Sequence, residues 1–303
     1  MSLPLPHEFV DNVLLSFPAE GPGWLERLPG LLAGACRRWD LVPGEPFLLS
    51  FNYVTAVRRA DGSQAVLKIG VPNHELSSEI HTLQWCNGDG ICRVLEADAA
   101  AGMLLLERLQ PGEMLTSLKD DEQMTRIGAQ VMARVRRPAP EGVPLIRLED
   151  WFGELRTLRP RFDGGTGPFP KRLVEHVEAT LPGLLAARPP LLIHGDLHHF
   201  NILSSTRGWL AIDPKGVVGN PEYEVGPFLI NPWGKYANHP GAVQLIERRI
   251  AILAEVLGYE REHVRDWGAC HAVLSAFWDM APDGTTGGER TLRCGEIIAQ
   301  ART

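Results

Sequence analysis

No stretch of this sequence approaches the length of apolar residues that a membrane-spanning helix needs, and no basic region followed by a long apolar run stands at its N-terminus. A cytoplasmic chain with no membrane partner is therefore expected. Cysteine is scarce: Cys36, Cys86, Cys92, Cys270 and Cys294 are odd in number, widely spaced and form no CxxC pair. That pattern excludes a disulfide framework and a zinc ribbon and suits a reducing compartment. A basic excess is missing as well. The net charge of −7 argues against nucleic acid as a main partner and mildly favours a cationic small molecule through electrostatic steering. There are no internal repeats, no low-complexity tracts and no heptads, so nothing specifies an oligomeric state.

The 303 residues are enough for two cores, and the chemistry concentrates in Leu191–Lys215, LLIHGDLHHFNILSSTRGWLAIDPK. A short apolar run ends at His194-Gly195-Asp196. Asn201 follows, then a second apolar stretch, then Asp213-Pro214-Lys215. The pattern reads as strand, loop, strand, turn, strand, with two carboxylates and one amide at the strand and loop ends. Such hard oxygen ligands suit Mg²⁺ on a phosphoryl donor, and a remaining Asp can orient an attacking hydroxyl and accept its proton. His194, His198 and His199 suggest a metal cluster at first sight, but no matched set of spaced ligands accompanies them.

HGDLHHFN is similar to the catalytic loop of protein kinases and small-molecule antibiotic kinases, and Asp213-Pro214-Lys215 sits where protein kinases carry Asp-Phe-Gly. HGDLHHFNIL followed by AIDPKGVVGNPEYEVG resembles the streptomycin 6-kinase and hydroxyurea phosphotransferase family of aminoglycoside-type kinases. The resemblance implies an α+β, bilobal, protein-kinase-like fold. Its small antiparallel-sheet lobe would span 1–109 and bind nucleotide; its mostly helical lobe would span 110–303 and carry catalysis and the acceptor, with the active site in the cleft between them. It implies ATP and Mg²⁺ as cofactors, Asp196 as the catalytic base, and Asn201 and Asp213 as metal ligands. His194 is expected to brace the loop by hydrogen bonding, and His198 and His199 to be surface or packing residues.

Upstream, Trp24, Leu28, Leu31, Leu32, Ala35 and Trp39 recur at helical spacing, and Pro43-Gly44 is expected to end that segment. Short strands are expected at 47–51, 55–59 and 65–69, with Asp61-Gly62 as a hairpin turn. Lys68 lies near the end of the third strand, where a kinase holds the donor phosphates, and Glu79 on the helix after it can hold the Lys68 ammonium. Strands at 91–97 and 103–108 lead into Glu107-Arg108-Leu109-Gln110-Pro111-Gly112. There the resemblance places the adenine edge on the carbonyl of Glu107 and the amide of Leu109. The segment Ser50–Thr55 contains no glycine, so a glycine-rich phosphate loop is absent; Ser50 and Asn52 are candidates to replace some of its contacts.

Helices are expected after Asp120 and over 171–187, 242–257, 262–280 and 289–301. For the acceptor, the carboxylates Asp150, Asp163, Glu222, Glu224, Asp266, Asp279 and Asp283 and the indoles Trp151, Trp233 and Trp278 are candidates. Glu224 is expected to tether a helix rather than bind substrate. The expected activity is phosphoryl transfer from ATP to a hydroxyl of a streptomycin-like aminoglycoside or to hydroxyurea. The alternatives are a fructosamine- or choline-type metabolite kinase and a non-catalytic nucleotide-binding regulator.

Overall fold

A computed structural model describes residues 3–232, 236–281 and 283–303; the candidate Trp233 lies outside them. The chain divides into two compact units, Met1–Gly112 and Glu113–Thr303.

The first unit begins with α1 (His7–Ser16) and α2 (Gly21–Arg38). A five-stranded antiparallel sheet follows, built from β1 (Leu41–Pro46), β2 (Tyr53–Arg59), β3 (Gln64–Ile69), β4 (Val94–Asp98) and β5 (Met103–Glu107), in the order β1-β2-β3-β5-β4. Between β3 and β4 runs α3 (His74–Cys86). Two-residue alternation sorts the strands: Ala65, Leu67 and Ile69 join Phe9 and Val13 of α1 and Trp24 and Leu28 of α2 in one core. Lys68 belongs to the opposite face. Gly62, with φ of +82°, turns β2 into β3 as the Asp61-Gly62 pair predicts.

The first strand departs from expectation. It is Leu41–Pro46, not 47–51, and the helix before it ends at Arg38 rather than at Pro43-Gly44. Prolines are tolerated there because β1 is an edge strand, and its register shifts between Pro43 and Pro46. The apolar run that suggested a strand has no buried face: Leu49 is buried, but Phe47 and Phe51, which would share its side of a strand, are exposed.

Past β6 (Pro111–Met114) the second unit is mostly helical. It contains α4 (Asp121–Val135), β7 (Ile146–Arg147), α5 (Leu148–Gly153), α6 (Leu158–Arg161), α7 (Lys171–Ala186), β8 (Leu191–Ile193), β9 (Ile202–Ser205), β10 (Gly208–Ala211), β11 (Val217–Gly219), α8 (Val225–Ile230), α9 (Ala242–Leu257), α10 (Arg261–Trp278) and α11 (Glu289–Gln300). Asp120 caps α4, accepting from the amides of Glu122 and Gln123. Helix α10 is buried nearly all round, through Val264, Trp267, Ala269, Cys270, Val273 and Leu274, and α7, α8, α9 and α11 pack on it. The fold class is α+β, as expected. Among the described residues no helix is long and apolar enough to cross a membrane.

Two features of this unit position chemistry. Strands β9 and β10 form a hairpin with Ile202 opposite Ala211, which returns the chain from Asn201 to Asp213. Strand β11 then pairs antiparallel with β8, Val217 opposite Ile193, and parallel with β7. The entry and exit of the His194–Asp213 segment are thereby anchored side by side.

Candidate active site

In the first unit Lys68 and Glu79 come together. The Lys68 ammonium donates to both carboxylate oxygens of Glu79, at 2.8 and 2.7 Å, and both residues are buried. Local structure explains the meeting. Strand β3 turns Lys68 away from the face carrying Leu67, and α3 presents Glu79 beside Ile80 and Leu83. The Asn73 side chain caps α3 by accepting from the Leu76 amide, which sets where the helix starts. Glu107 ends β5 opposite Ala65; its amide donates to the Arg93 carbonyl and its carboxylate accepts from the Arg93 amide. Leu109 is buried. Asn52 Oδ1 lies only 2.2 Å from where a Cβ on Gly70 would stand, so that side chain is tucked against the backbone after β3.

In the second unit Asp196, Asn201 and Asp213 are carried by one hydrogen-bonded frame. Asn201 Nδ2 donates to the Asp196 carbonyl at 3.0 Å, and the Ile212 amide donates to the Asn201 carbonyl at 2.9 Å. The amides of Lys215 and Gly216 both donate to the His194 carbonyl. His194 is fully buried and joins the two ends of the loop: Nδ1 accepts from the Asp196 amide and Nε2 donates to the Ile212 carbonyl at 2.8 Å. Burial pushes its pKa down to about 3, so the ring is neutral and the Nε2–H tautomer satisfies both bonds.

Asp213 adopts the left-handed region, with φ of +61°, as does Gly195, with φ of +88°. A Cβ on Gly195 would stand 2.5 Å from Val217 Cγ2 and 3.3 Å from Trp151 Cη2. Gly195→Ala is expected to destabilise the protein by about 1–3 kcal/mol from backbone strain alone, with the clash adding to it. An unchanged midpoint in urea unfolding would contradict this close packing.

Glu224 does not tether a helix; it holds the loop. After β11, the Asn220 side chain accepts from the Glu222 amide and caps a short 3₁₀ turn, Pro221–Glu224. That turn delivers the Glu224 carboxylate beneath the loop, where it accepts from the amides of His194 (2.7 Å), Gly195 (3.1 Å) and Leu197 (3.2 Å). Burial, with a smaller push from the nearby Asp196 charge, raises its pKa to about 7 against the opposing pull of these amides.

Several acceptor candidates are engaged elsewhere. Glu222 is fully buried between Arg188 and His263, and Asp266 accepts from Arg265 and pairs with His176. Asp150, Asp163, Asp279 and Asp283 are exposed. Trp151 and Trp278 meet edge to face with centroids 5.1 Å apart, and Trp278 Nε1 donates to Glu154 Oε2 at 3.0 Å. Trp151 thus flanks the backbone that carries Asp196, and Glu154 is a neighbour the sequence reading did not single out. His199 is buried and stacked on Phe228 at 4.0 Å, a packing role. His198 is not a mere surface residue: its Nε2 lies 3.7 Å from Asp196 Oδ1. The three histidines therefore face different partners.

Comparison with known proteins agrees with this geometry. Residues 38–284 match the model of the aminoglycoside/hydroxyurea antibiotic resistance kinases. The chain is 32% identical to a streptomycin 6-kinase of Streptomyces glaucescens over 280 residues, 91% of each chain. It is 33% identical to a hydroxyurea phosphotransferase of Kitasatospora aureofaciens over 300 residues, 97% of this chain and 85% of the relative. Among solved structures, a choline/ethanolamine kinase family protein from Mesorhizobium loti is similar with a TM-score of 0.61 and 16% identity, covering 88% of this chain and 95% of that one. This last likeness shows the protein-kinase-like fold alone. The HGDLHHFN loop that the sequence singles out thus lies in a chain that belongs to the aminoglycoside/hydroxyurea antibiotic resistance kinase family.

Proposed function

We propose that the protein transfers the γ-phosphoryl group of ATP to a hydroxyl of a streptomycin-like aminoglycoside, or to hydroxyurea, and so inactivates the antibiotic. The observation that carries this reading is the frame joining His194, Asp196, Asn201 and Asp213, within a chain whose relatives at about a third identity are named for these activities. Asp196 orients the acceptor hydroxyl and takes its proton as the bond to phosphorus forms. Lys68, steadied by Glu79, holds the donor phosphates. The carbonyl of Glu107 and the amide of Leu109 receive the adenine edge.

The side chains fit Mg²⁺. Asn201 spends its NH₂ group on the Asp196 carbonyl, which leaves its amide oxygen as the ligating atom, and Asp213 offers a carboxylate. Both are hard oxygen donors of the kind this ion takes. When bound, Mg²⁺ supplies positive charge against the donor phosphates. Asp213→Ala is expected to weaken MgATP binding about tenfold or more, on loss of one charged ligand worth roughly 1.5–3 kcal/mol. Calorimetric titration with MgATP checks this, and undiminished affinity would remove Asp213 from the metal site.

On the acceptor side, Trp151, Trp278, Glu154 and the exposed Asp150 and Asp279 support a cationic small molecule: indole faces and carboxylates both favour ammonium or guanidinium groups. The deciding experiment is a coupled ADP-release assay with MgATP against streptomycin, other aminoglycosides, hydroxyurea, fructosamines and choline. Turnover on streptomycin or hydroxyurea supports the reading; turnover confined to choline or fructosamines overturns the substrate assignment and keeps the phosphotransferase.

A further inference from the structure

We propose that His198 is a positioning residue for the Asp196 side chain, its Nε2–H directed at Asp196 Oδ1 so that the other carboxylate oxygen is presented to the acceptor hydroxyl. The proposal rests on the reading of Asp196 as the base and adds to it a residue that the sequence pattern assigned to surface or packing.

The backbone of Asp196 is held from two sides, its amide on His194 Nδ1 and its carbonyl on Asn201 Nδ2. Neither bond sets the rotation of the carboxylate, which is a soft, roughly two-fold torsion. His198 is a neighbour placed to act on it. Its Nε2 stands 3.7 Å from Asp196 Oδ1, one small side-chain rotation from a hydrogen bond. The two side chains are about one-fifth and one-third exposed, so the pair lies at the edge of solvent, where an acceptor can reach it.

The orientation of the ring is itself determined. Nδ1 accepts from the Phe200 amide at 3.3 Å, and the Phe200 ring packs edge-on against the imidazole with centroids 5.7 Å apart. With Nδ1 committed as an acceptor of the Phe200 amide, the ring carries its hydrogen on Nε2, the atom that faces Asp196. His198 therefore acts as a donor toward the carboxylate and does not receive the acceptor's proton. In chemical terms it narrows the orientations of the base. A reacting group misplaced by about 1 Å can lose on the order of 10²-fold in rate, so an orienting contact of this kind has a measurable consequence.

The two ring nitrogens can be tested separately, because Gln reproduces the position of Nε2 and Asn that of Nδ1. The experiment measures kcat and KM with MgATP and streptomycin, or hydroxyurea where that is the acceptor turned over. It compares the unmodified protein with His198→Ala, His198→Gln, His198→Asn and Asp196→Ala, with thermal melting of each variant as the control for folding. His198→Ala is expected to lower kcat by about 10²-fold with KM for the acceptor little changed. His198→Gln, which restores a donor toward Asp196, is expected to recover most of that loss, and His198→Asn is not. Full kcat in His198→Ala overturns the proposal. So does recovery by Asn without recovery by Gln, which would place the role of the ring in its bond to the Phe200 amide. Turnover that survives Asp196→Ala, or no turnover by the unmodified protein on either acceptor, overturns the underlying reading instead and takes this proposal with it.

Discussion

Asp196→Ala is expected to lower kcat for phosphoryl transfer by about 10³-fold while MgATP affinity stays near that of the unmodified protein. Asp196 sits at the turn between β8 and the Asn201 loop, and its amide and carbonyl make the bonds that tie it to His194 and Asn201. Removing the carboxylate therefore leaves the bonds from Asn201 to Asp196 and from Ile212 to Asn201 in place. What is lost is the group that orients the acceptor hydroxyl and accepts its proton. Steady-state kinetics with a matched calorimetric titration of MgATP tests both halves. A variant with undiminished kcat would remove Asp196 from the chemistry. A variant that loses nucleotide binding together with kcat would mean that the side chain supports the loop rather than the reaction.

Glu224→Ala is expected to cost more in stability than any other single change in the loop frame. The carboxylate accepts from three amides, those of His194, Gly195 and Leu197, in a buried setting. Each buried amide left without an acceptor costs about 1–3 kcal/mol, so a total of roughly 3 kcal/mol or more is expected, with activity lost as the Asp196 loop loses its support. Urea unfolding at neutral pH measures the first effect, and a change under about 1 kcal/mol would show the tether to be dispensable.

The same carboxylate gives the stability curve a pH dependence of definite sign. The Glu224 pKa in the folded protein, about 7, lies above that of a free glutamate, near about 4.3. Between these values the folded chain holds a proton that the unfolded chain has released. The contribution of this group to stability is therefore fully present below about pH 4.3, falls as the pH rises toward about 7, and is level above it. Glu224→Gln removes that titration. The difference in unfolding free energy between the two proteins is expected to change across this window and to be flat above it. A difference that stays constant from pH 5 to pH 8 would contradict the raised pKa.

How legible these features were depends on how local their causes are. The loop chemistry was readable because Asp196, Asn201 and Asp213 lie within one short segment whose apolar runs mark its strands. Helix α9, Ala242–Leu257, matched its expected bounds because its apolar period is long and a left-handed Gly258 ends it. The first strand was misplaced by the same logic. Apolar residues at Phe47–Phe51 suggested pairing, whereas a proline-bearing segment, LVPGEP, takes the edge position, where a missing amide does no harm. Strand β7, two residues long and parallel to β11, carries no periodic signal at all.

The partners of the loop were hidden for a different reason. Glu224 lies 27 to 30 residues beyond the amides it holds, and only the pairing of β11 with β8 and the 3₁₀ turn after it bring the carboxylate underneath them. Likewise Trp151 reaches Gly195 from a helix far upstream, and Trp278 reaches Glu154 across more than a hundred residues. His198 is near Asp196 in sequence, yet its direction is decided by the bond from the Phe200 amide, a turn geometry that residue types do not state. Residue type and spacing determined the class of chemistry, because phosphoryl transfer demands oxygen ligands and a base in one segment. Which groups hold that segment rigid was decided by tertiary structure, because a buried amide takes whichever acceptor the fold carries to it.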